Sequence, residues 1–294
     1  MSRKSNKKYQ IGFVALLVLW FLGTLGWYLH AKNFAVLNPA GQVASRERDL
    51  IIITVLLGLL VVITVYVMTF AIAWRYREGN KKARYSPELT GNRYAEALWW
   101  GIPSAIILVL SIITWQTSHS LDPFKPLSAP GKQPMVVEVV ALDWKWLFIY
   151  PKEGIASVNY VQFPAGTPVD FYITADAPMN SLWIPQLGSQ IYAMPGMSTQ
   201  LHLVAGKAGN YYGSSANISG QGFAGMNFIA HATSQTEYDN WLRVARSSPD
   251  KLDAGAYRQL ARPSQDNPVS LYSTVDNQLY ENILLSYMVP GKGV

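Results

Sequence analysis

Residues 135–151 read MVVEVVALDWKWLFIYP, and their texture decides the fold of the outer half of the chain. The run is β-branched and aromatic, with partial alternation of apolar and polar positions, which is strand chemistry. Residues 156–176, ASVNYVQFPAGTPVDFYITAD, repeat the style on either side of a PAGTP turn. Residues 181–206, SLWIPQLGSQIYAMPGMSTQLHLVAG, and residues 225–234, GMNFIAHATS, continue it. Short strands broken by turns every ~8–12 residues predict an all-β sandwich or small barrel of about 100 residues. Its limits are placed at 135–233.

Outward from this unit the texture changes on both sides. Toward the C-terminus, residues 236–248, TEYDNWLRVARSS, set Tyr238, Trp241, Leu242 and Ala245 at helical spacing. Residues 253–264, DAGAYRQLARPS, form a second short helix, and the tail from Val269 is aromatic-rich. Residues 234–294 therefore read as a helical, aromatic arm that packs on a partner or back on the domain. Toward the N-terminus lies a proline-rich linker, 122–134, DPFKPLSAPGKQP.

Before the linker come three uncharged runs, Tyr9–Leu29, Leu50–Trp74 and Ala97–Ser118, of 21, 25 and 22 residues. At about 1.5 Å per residue each covers the ~30 Å hydrocarbon core of a bilayer. The first, within 1–30, follows Arg3, Lys4, Lys7 and Lys8 and is either a retained anchor helix or a secretory signal. Two or three transmembrane helices are thus expected, with a helix pair across 50–118. The loop 75–96 carries Arg75, Arg77, Lys81, Lys82, Arg84 and Arg93, which places it in the cytoplasm and the β domain outside, in the periplasm of a Gram-negative cell.

Charge follows the same division. Met1–Thr117 holds 13 Lys/Arg against 5 Asp/Glu, and the remainder 11 against 13, so the net +6 belongs to the membrane third. A nucleic-acid reader carries its positive charge on the folded domain, so nucleic acid is set aside. The absence of cysteine excludes disulfides, thiolate metal sites and cysteine nucleophiles. Neither His202 nor His231 has a second histidine at ligand spacing, and both read as strand histidines. No nucleophile elbow, P-loop or dinucleotide fingerprint is present, so no catalytic residue is assigned. Met179, Met194, Met197 and Met226 are read as core filler rather than a copper site. Glu96, at the cytoplasmic start of the third run, is either a dipole-favoured N-terminal acid or a carboxylate at the mouth of a proton path.

The segments DWKWLFIYP (143–151), NSLWIPQLGSQIYAMPGM (180–197), YYGSSANISGQGFAGM (211–226) and AEALWWGIP (95–103) together carry a resemblance. The chain resembles subunit II of the haem–copper respiratory oxidases, in the ubiquinol oxidase (cytochrome bo-type) branch. The resemblance runs from NPAGQ at Asn38 to the aromatic tail and implies a membrane-anchored, periplasmic, cupredoxin-like Greek-key sandwich with a helical extension.

Cytochrome c-oxidising members of that family hold a copper pair on one histidine ahead of an S-x-x-x-P stretch and on a Cys-x-Glu-x-Cys-x3-His-x2-Met loop. The resemblance places Asn180 at the first histidine, and Ser215, Asn217, Ser219, Phe223 and Met226 along the loop. Copper pairs need bridging thiolates and imidazoles. Hydroxyls, an amide and a phenyl ring cannot replace them, so no metal and no cofactor is expected in this chain. Haems and one copper are expected in a partner, subunit I, with subunits III and IV alongside, all in the bacterial inner membrane. The donor implied is ubiquinol rather than cytochrome c. The resemblance also makes Glu96 a proton-entry candidate, matching a carboxylate near the mouth of a proton channel into subunit I, and Trp144 and Trp146 relics of an electron path, kept for packing. The competing reading is a free membrane-anchored cupredoxin relative serving assembly or copper handling.

Overall fold

The structure is a computed structural model that describes residues 34–80, 83, 88 and 91–288, with residues 16, 19–21, 23, 24 and 26–28 of the first hydrophobic run. Those few positions are helical; whether that run is retained or cleaved lies outside the described residues. So do six of the positions in the basic loop's centre, 81–82 and 84–87.

Two helices, α1 (Gln42–Arg75) and α2 (Arg93–Ser120), are long and apolar enough to cross a membrane. Their apolar windows are wholly unburied by protein, as side chains facing lipid would be. Within each, backbone N–H and C=O groups pair internally, which makes a helix tolerable in hydrocarbon. Asn92 caps α2, its side chain accepting from the amides of Tyr94 and Ala95 at 3.0 and 3.3 Å.

α1 begins at Gln42, eight residues ahead of the apolar run that starts at Leu50. The β domain, not lipid, supports these extra turns. Gln186 O accepts from the amides of Ala40 and Gly41 at 2.8 and 3.0 Å, and Leu187 O accepts from Ala44 at 3.2 Å. Ser189 donates to the Glu47 carboxylate. Gly41 lies so close to the Leu187 backbone that a side chain there would collide with it, which is why this junction takes glycine.

The outer unit is a sandwich. One sheet joins six strands in the order β11 (Ser270–Tyr272), β3 (Ile155–Val158), β2 (Lys145–Tyr150), β1 (Met135–Leu142), β5 (Pro168–Ala175), β8 (Thr199–Val204). The other joins β4 (Tyr160–Pro164), β10 (Asn227–Thr233), β9 (Gly209–Ser215), β6 (Asn180–Trp183) and β7 (Ile191–Ala193). Pairing is antiparallel except for β1 with β5 and β4 with β10. Closure into two sheets decides between sandwich and barrel.

The partial alternation of residues 135–151 has a physical cause: both faces of this sheet are covered. Val137, Val139, Ala141, Trp146, Phe148 and Tyr150 point into the core between the sheets. Val140, Leu142, Leu147 and Ile149 point the other way, into a second cluster roofed by the C-terminal arm. Each such large apolar side chain contributes about 1.5–3 kcal/mol on burial. The run itself is two strands, hinged at Asp143–Trp144, with Trp144 in the left-handed region at φ 63°.

The arm packs back on the domain. Its helices are α3 (Gln235–Arg246), α4 (Ala254–Leu260) and α5 (Leu279–Met288). α3 starts at a capping box in which Ser234 and Glu237 satisfy each other's backbone amides. Tyr238 and Ala245 are buried, and Trp241 and Leu242 pack half-buried on the core, as their spacing predicts. α5 buries Leu279, Tyr280 and Ile283. Lys145, on β2, is fully buried and donates to the carbonyl of Arg262 at 2.8 Å and to Ser264, which ties the arm to the sheet. Burial pushes its ammonium pKa down.

Candidate functional site

The positions that the resemblance sets at a copper site gather at one end of the sandwich. Asn180 opens β6, Ser215 closes β9, and these strands are neighbours, with Leu182 opposite Ser215. The Ser215 hydroxyl donates to Asn180 Oδ1 at 2.9 Å. It accepts from the Ser181 amide at 3.4 Å, while the Ser181 hydroxyl donates to Asn217 Oδ1 at 2.8 Å. Asn180 Nδ2 donates to Pro178 O at 2.7 Å. Asn180 and Ser215 are both buried, so each needs these partners. Ser181 was not singled out from sequence; only its adjacency to Asn180 hinted at it.

The rest of the loop returns over this cluster. Met226 is fully buried, and its carbonyl accepts from the Ser215 amide at 3.2 Å. Phe223 begins a single 3-10 turn, Phe223–Gly225, that closes on Met226. Ser219 offers its carbonyl to Trp144 Nε1 at 3.2 Å, while its buried hydroxyl has no partner among the described residues. The glycines have a packing role. A Cβ on Gly222 would lie 2.5 Å from Trp144 Cδ2, and one on Gly220 3.4 Å from Trp144 Cζ2. The loop lies flat on the indole. Trp146, by contrast, sits wholly inside the core, edge-on to Phe228 at 5.8 Å.

Several expectations change here. Of the four methionines read as filler, Met226 fills the core, but Met179 and Met197 are 44% and 51% exposed. They stand on loops beside β6 and β7. His202 is a strand histidine with a specific partner, its Nδ1 lying 2.6 Å from Asp170 Oδ1. His231 Nδ1 lies 2.8 Å from the Tyr160 hydroxyl. Neither belongs to the cluster. Glu96 lies near the opposite end of α2, in its first turn, with its carboxylate folded beside Gly91. At 1.5 Å per residue the helix separates it from the domain by roughly 35–40 Å.

The comparisons with known proteins agree with this architecture. Residues 154–233 match the family model for the cytochrome c oxidase subunit II periplasmic domain. Residues 246–291 match the aromatic-rich motif of the same oxidases. Cytochrome bo(3) ubiquinol oxidase subunit 2 of Pseudomonas putida is 49% identical over 276 residues, 94% of this chain and 87% of that one. Ubiquinol oxidase subunit 2 of Acetobacter aceti is 48% identical over 253 residues, 86% and 82% of the two chains. The solved periplasmic domain of cytochrome oxidase subunit II from Bradyrhizobium japonicum is 20% identical, with a TM-score of 0.37, covering 41% of this chain and 96% of that one.

A helix pair carrying a cupredoxin-like sandwich defines the second subunit of a respiratory terminal oxidase. Within that class the chain belongs to the ubiquinol oxidase subunit 2 family, and it is a subunit of a terminal quinol oxidase.

The wider family's copper pair can be tested against the side chains present. Asn180 and Ser215 are committed to each other, Asn217 to Ser181, and Phe223 has no lone pair to donate. Only neutral oxygen donors and the single thioether of Met226 remain. Copper pairs select thiolate and imidazole, so these residues do not fit one.

Proposed function

We propose that this chain is a non-redox subunit of its quinol oxidase. It would be held in the bacterial inner membrane with its sandwich in the periplasm. One observation carries the reading: two of the positions that would ligate copper, Asn180 and Ser215, are hydrogen-bonded to each other, and Asn217 is taken up by the hydroxyl of Ser181. A sandwich built this way has no centre to take an electron from a soluble donor. Ubiquinol, dissolved in the membrane, then delivers electrons directly to a haem- and copper-bearing subunit I. Oxygen reduction and proton translocation belong to that subunit, with further subunits III and IV in the assembly. This chain supplies the platform that stabilises it. Glu96, in the first turn of α2 on the side of the basic loop, supplies a carboxylate at the proton-uptake side.

Purification from native membranes in mild detergent tests this. The chain should copurify with a haem-bearing subunit, with ubiquinol-driven oxygen uptake and no oxidation of cytochrome c. Copper should be accounted for by the haem-bearing subunit alone. Recovery of a lone 32.7 kDa species without haem would instead favour the free assembly or copper-handling protein.

A further inference from the structure

α1 and the sandwich enclose a cleft of about 500 Å³ where the helix leaves the domain. One wall is a single helical stripe, Glu47, Leu50 and Ile51, at i, i+3 and i+4. The facing wall is Trp183, which closes β6, with Ser189 and Gln190 ahead of β7. The junction fixes both walls: Ala44, one turn before Glu47, is buried, and its amide donates to Leu187 O at 3.2 Å. The cleft is therefore formed before anything enters it, and its volume is in the range of small-ligand sites.

The chemistry of the cleft changes along the helix. Leu50 and Ile51 begin the uncharged run that suits hydrocarbon, and Ile51 is 43% exposed. Glu47 lies about 4.5 Å further out along the axis, at the depth of lipid headgroups when Leu50 meets the hydrocarbon. Trp183, half-buried opposite, carries the amphipathic ring found at that boundary. The Glu47 carboxylate accepts from the Ser189 hydroxyl and forms no ion pair among the described residues. The adjacent Arg48 is taken by Asp49 at 2.7 Å, and Arg46 does not line the cleft. The Gln190 side chain is exposed and makes no hydrogen bond among the described residues.

We propose that this cleft is a phospholipid site selective for an ethanolamine headgroup. The lipid's ammonium pairs with Glu47, the Gln190 amide donates to its phosphate, and its acyl chains run down past Leu50 and Ile51. The carboxylate sets the selectivity. Ser189 already fixes it as an acceptor, and its bond to an ammonium is charge-assisted and strong. A glycerol headgroup brings the phosphate's negative charge with no cation, so the same carboxylate repels it. A lipid seated here touches both α1 and the domain and so joins them. This inference needs only that α1 crosses a membrane; it does not depend on the orientation or the redox reading above.

Lipid retention by the purified oxidase tests it without reference to activity. The complex, washed free of loosely held lipid in detergent, is given phosphatidylethanolamine or phosphatidylglycerol, and native mass spectrometry reads the amount of each retained. Glu47→Gln keeps an acceptor for Ser189 and removes the charge. It should weaken retention of phosphatidylethanolamine at least about tenfold, the worth of one charge-assisted hydrogen bond, with thermal stability in lipid-free detergent unchanged. The difference between wild type and variant isolates this cleft from lipid held elsewhere in the complex. Glu47→Lys should turn the preference toward phosphatidylglycerol. A photoreactive benzoylphenylalanine introduced at Gln190 in native membranes should cross-link to lipid. The same lipid preference in wild type and Glu47→Gln overturns the proposal. Cross-links from position 190 to another subunit or to the N-terminal segment of this chain overturn it too, because protein would then fill the cleft.

Discussion

Trp144 Nε1 donates a hydrogen bond to the carbonyl of Ser219 at 3.2 Å, joining the β1–β2 turn to a loop 75 residues away. The indole is held in a turn whose backbone is left-handed, a conformation that costs a non-glycine residue roughly 1–2 kcal/mol. Its burial under the glycine loop and its bond to Ser219 offset that cost.

Trp144→Phe keeps most of the apolar contact and loses the donor. Stability should fall by about 1 kcal/mol, the worth of one hydrogen bond. Thermal unfolding of the full chain reads the loss, while ubiquinol-driven oxygen uptake by the assembled oxidase should be unchanged. A severe loss of turnover with normal folding would return an electron-transfer role to Trp144.

Gly222→Ala forces a Cβ against the rigid indole and should cost about 1–3 kcal/mol as overpacking. The smaller ring of Trp144→Phe should relieve part of this. In a double-mutant cycle the two changes should therefore be non-additive, with the pair less destabilised than the sum. Additive losses would mean that the loop does not rest on the ring.

Lys145→Met keeps the buried stem and removes the donor that serves Arg262 O and Ser264. The stranded carbonyl should cost about 1–3 kcal/mol. Exchange protection should fall first in the arm around residues 262–267, before the sandwich core. Uniform destabilisation of the whole domain would refute Lys145 as the tether.

Asp170→Ala leaves both ring nitrogens of His202 without a partner, since Nε2 already has none among the described residues. The expected loss is about 1–3 kcal/mol, read by chemical denaturation. Asp170→Asn retains an acceptor and should lose less. Equal losses in the two variants would show that packing, not the hydrogen bond, is what matters there.

Glu96→Ala should slow proton-coupled turnover while the assembled complex keeps its haem content. Glu96→Gln should behave the same way, because the carboxyl's proton rather than its shape is at issue. Normal turnover in either assembled variant would leave Glu96 as an N-terminal helix acid and nothing more.

Much of the candidate site was legible because donor chemistry belongs to each side chain itself. No tertiary arrangement turns Ser215 and Ser219 into thiolates or gives Phe223 a lone pair. Which positions to compare came from the resemblance, and the poor match of these side chains to copper is a matter of donor chemistry alone. The two helices long and apolar enough to cross a membrane were equally legible, since long uncharged runs have few other stable environments. The α3 face came from simple 3.6-residue spacing.

What remained hidden depends on residues far apart in the chain. Alternation in 135–151 was only partial because the arm covers the sheet's second face, and nothing local to that stretch encodes a roof supplied by Leu252, Tyr257 and Ile283. The start of α1 at Gln42 depends on carbonyls of Gln186 and Leu187. The pairing of Asn180 with Ser215 and the glycines laid against Trp144 likewise depend on which segments the fold makes neighbours. Composition and spacing determined that the chain has no thiolate to offer a metal and that it carries helices long and apolar enough to cross a membrane. Only the tertiary structure decided what each buried polar group does instead, because a hydrogen bond or a repulsion exists only between atoms that the fold has brought together.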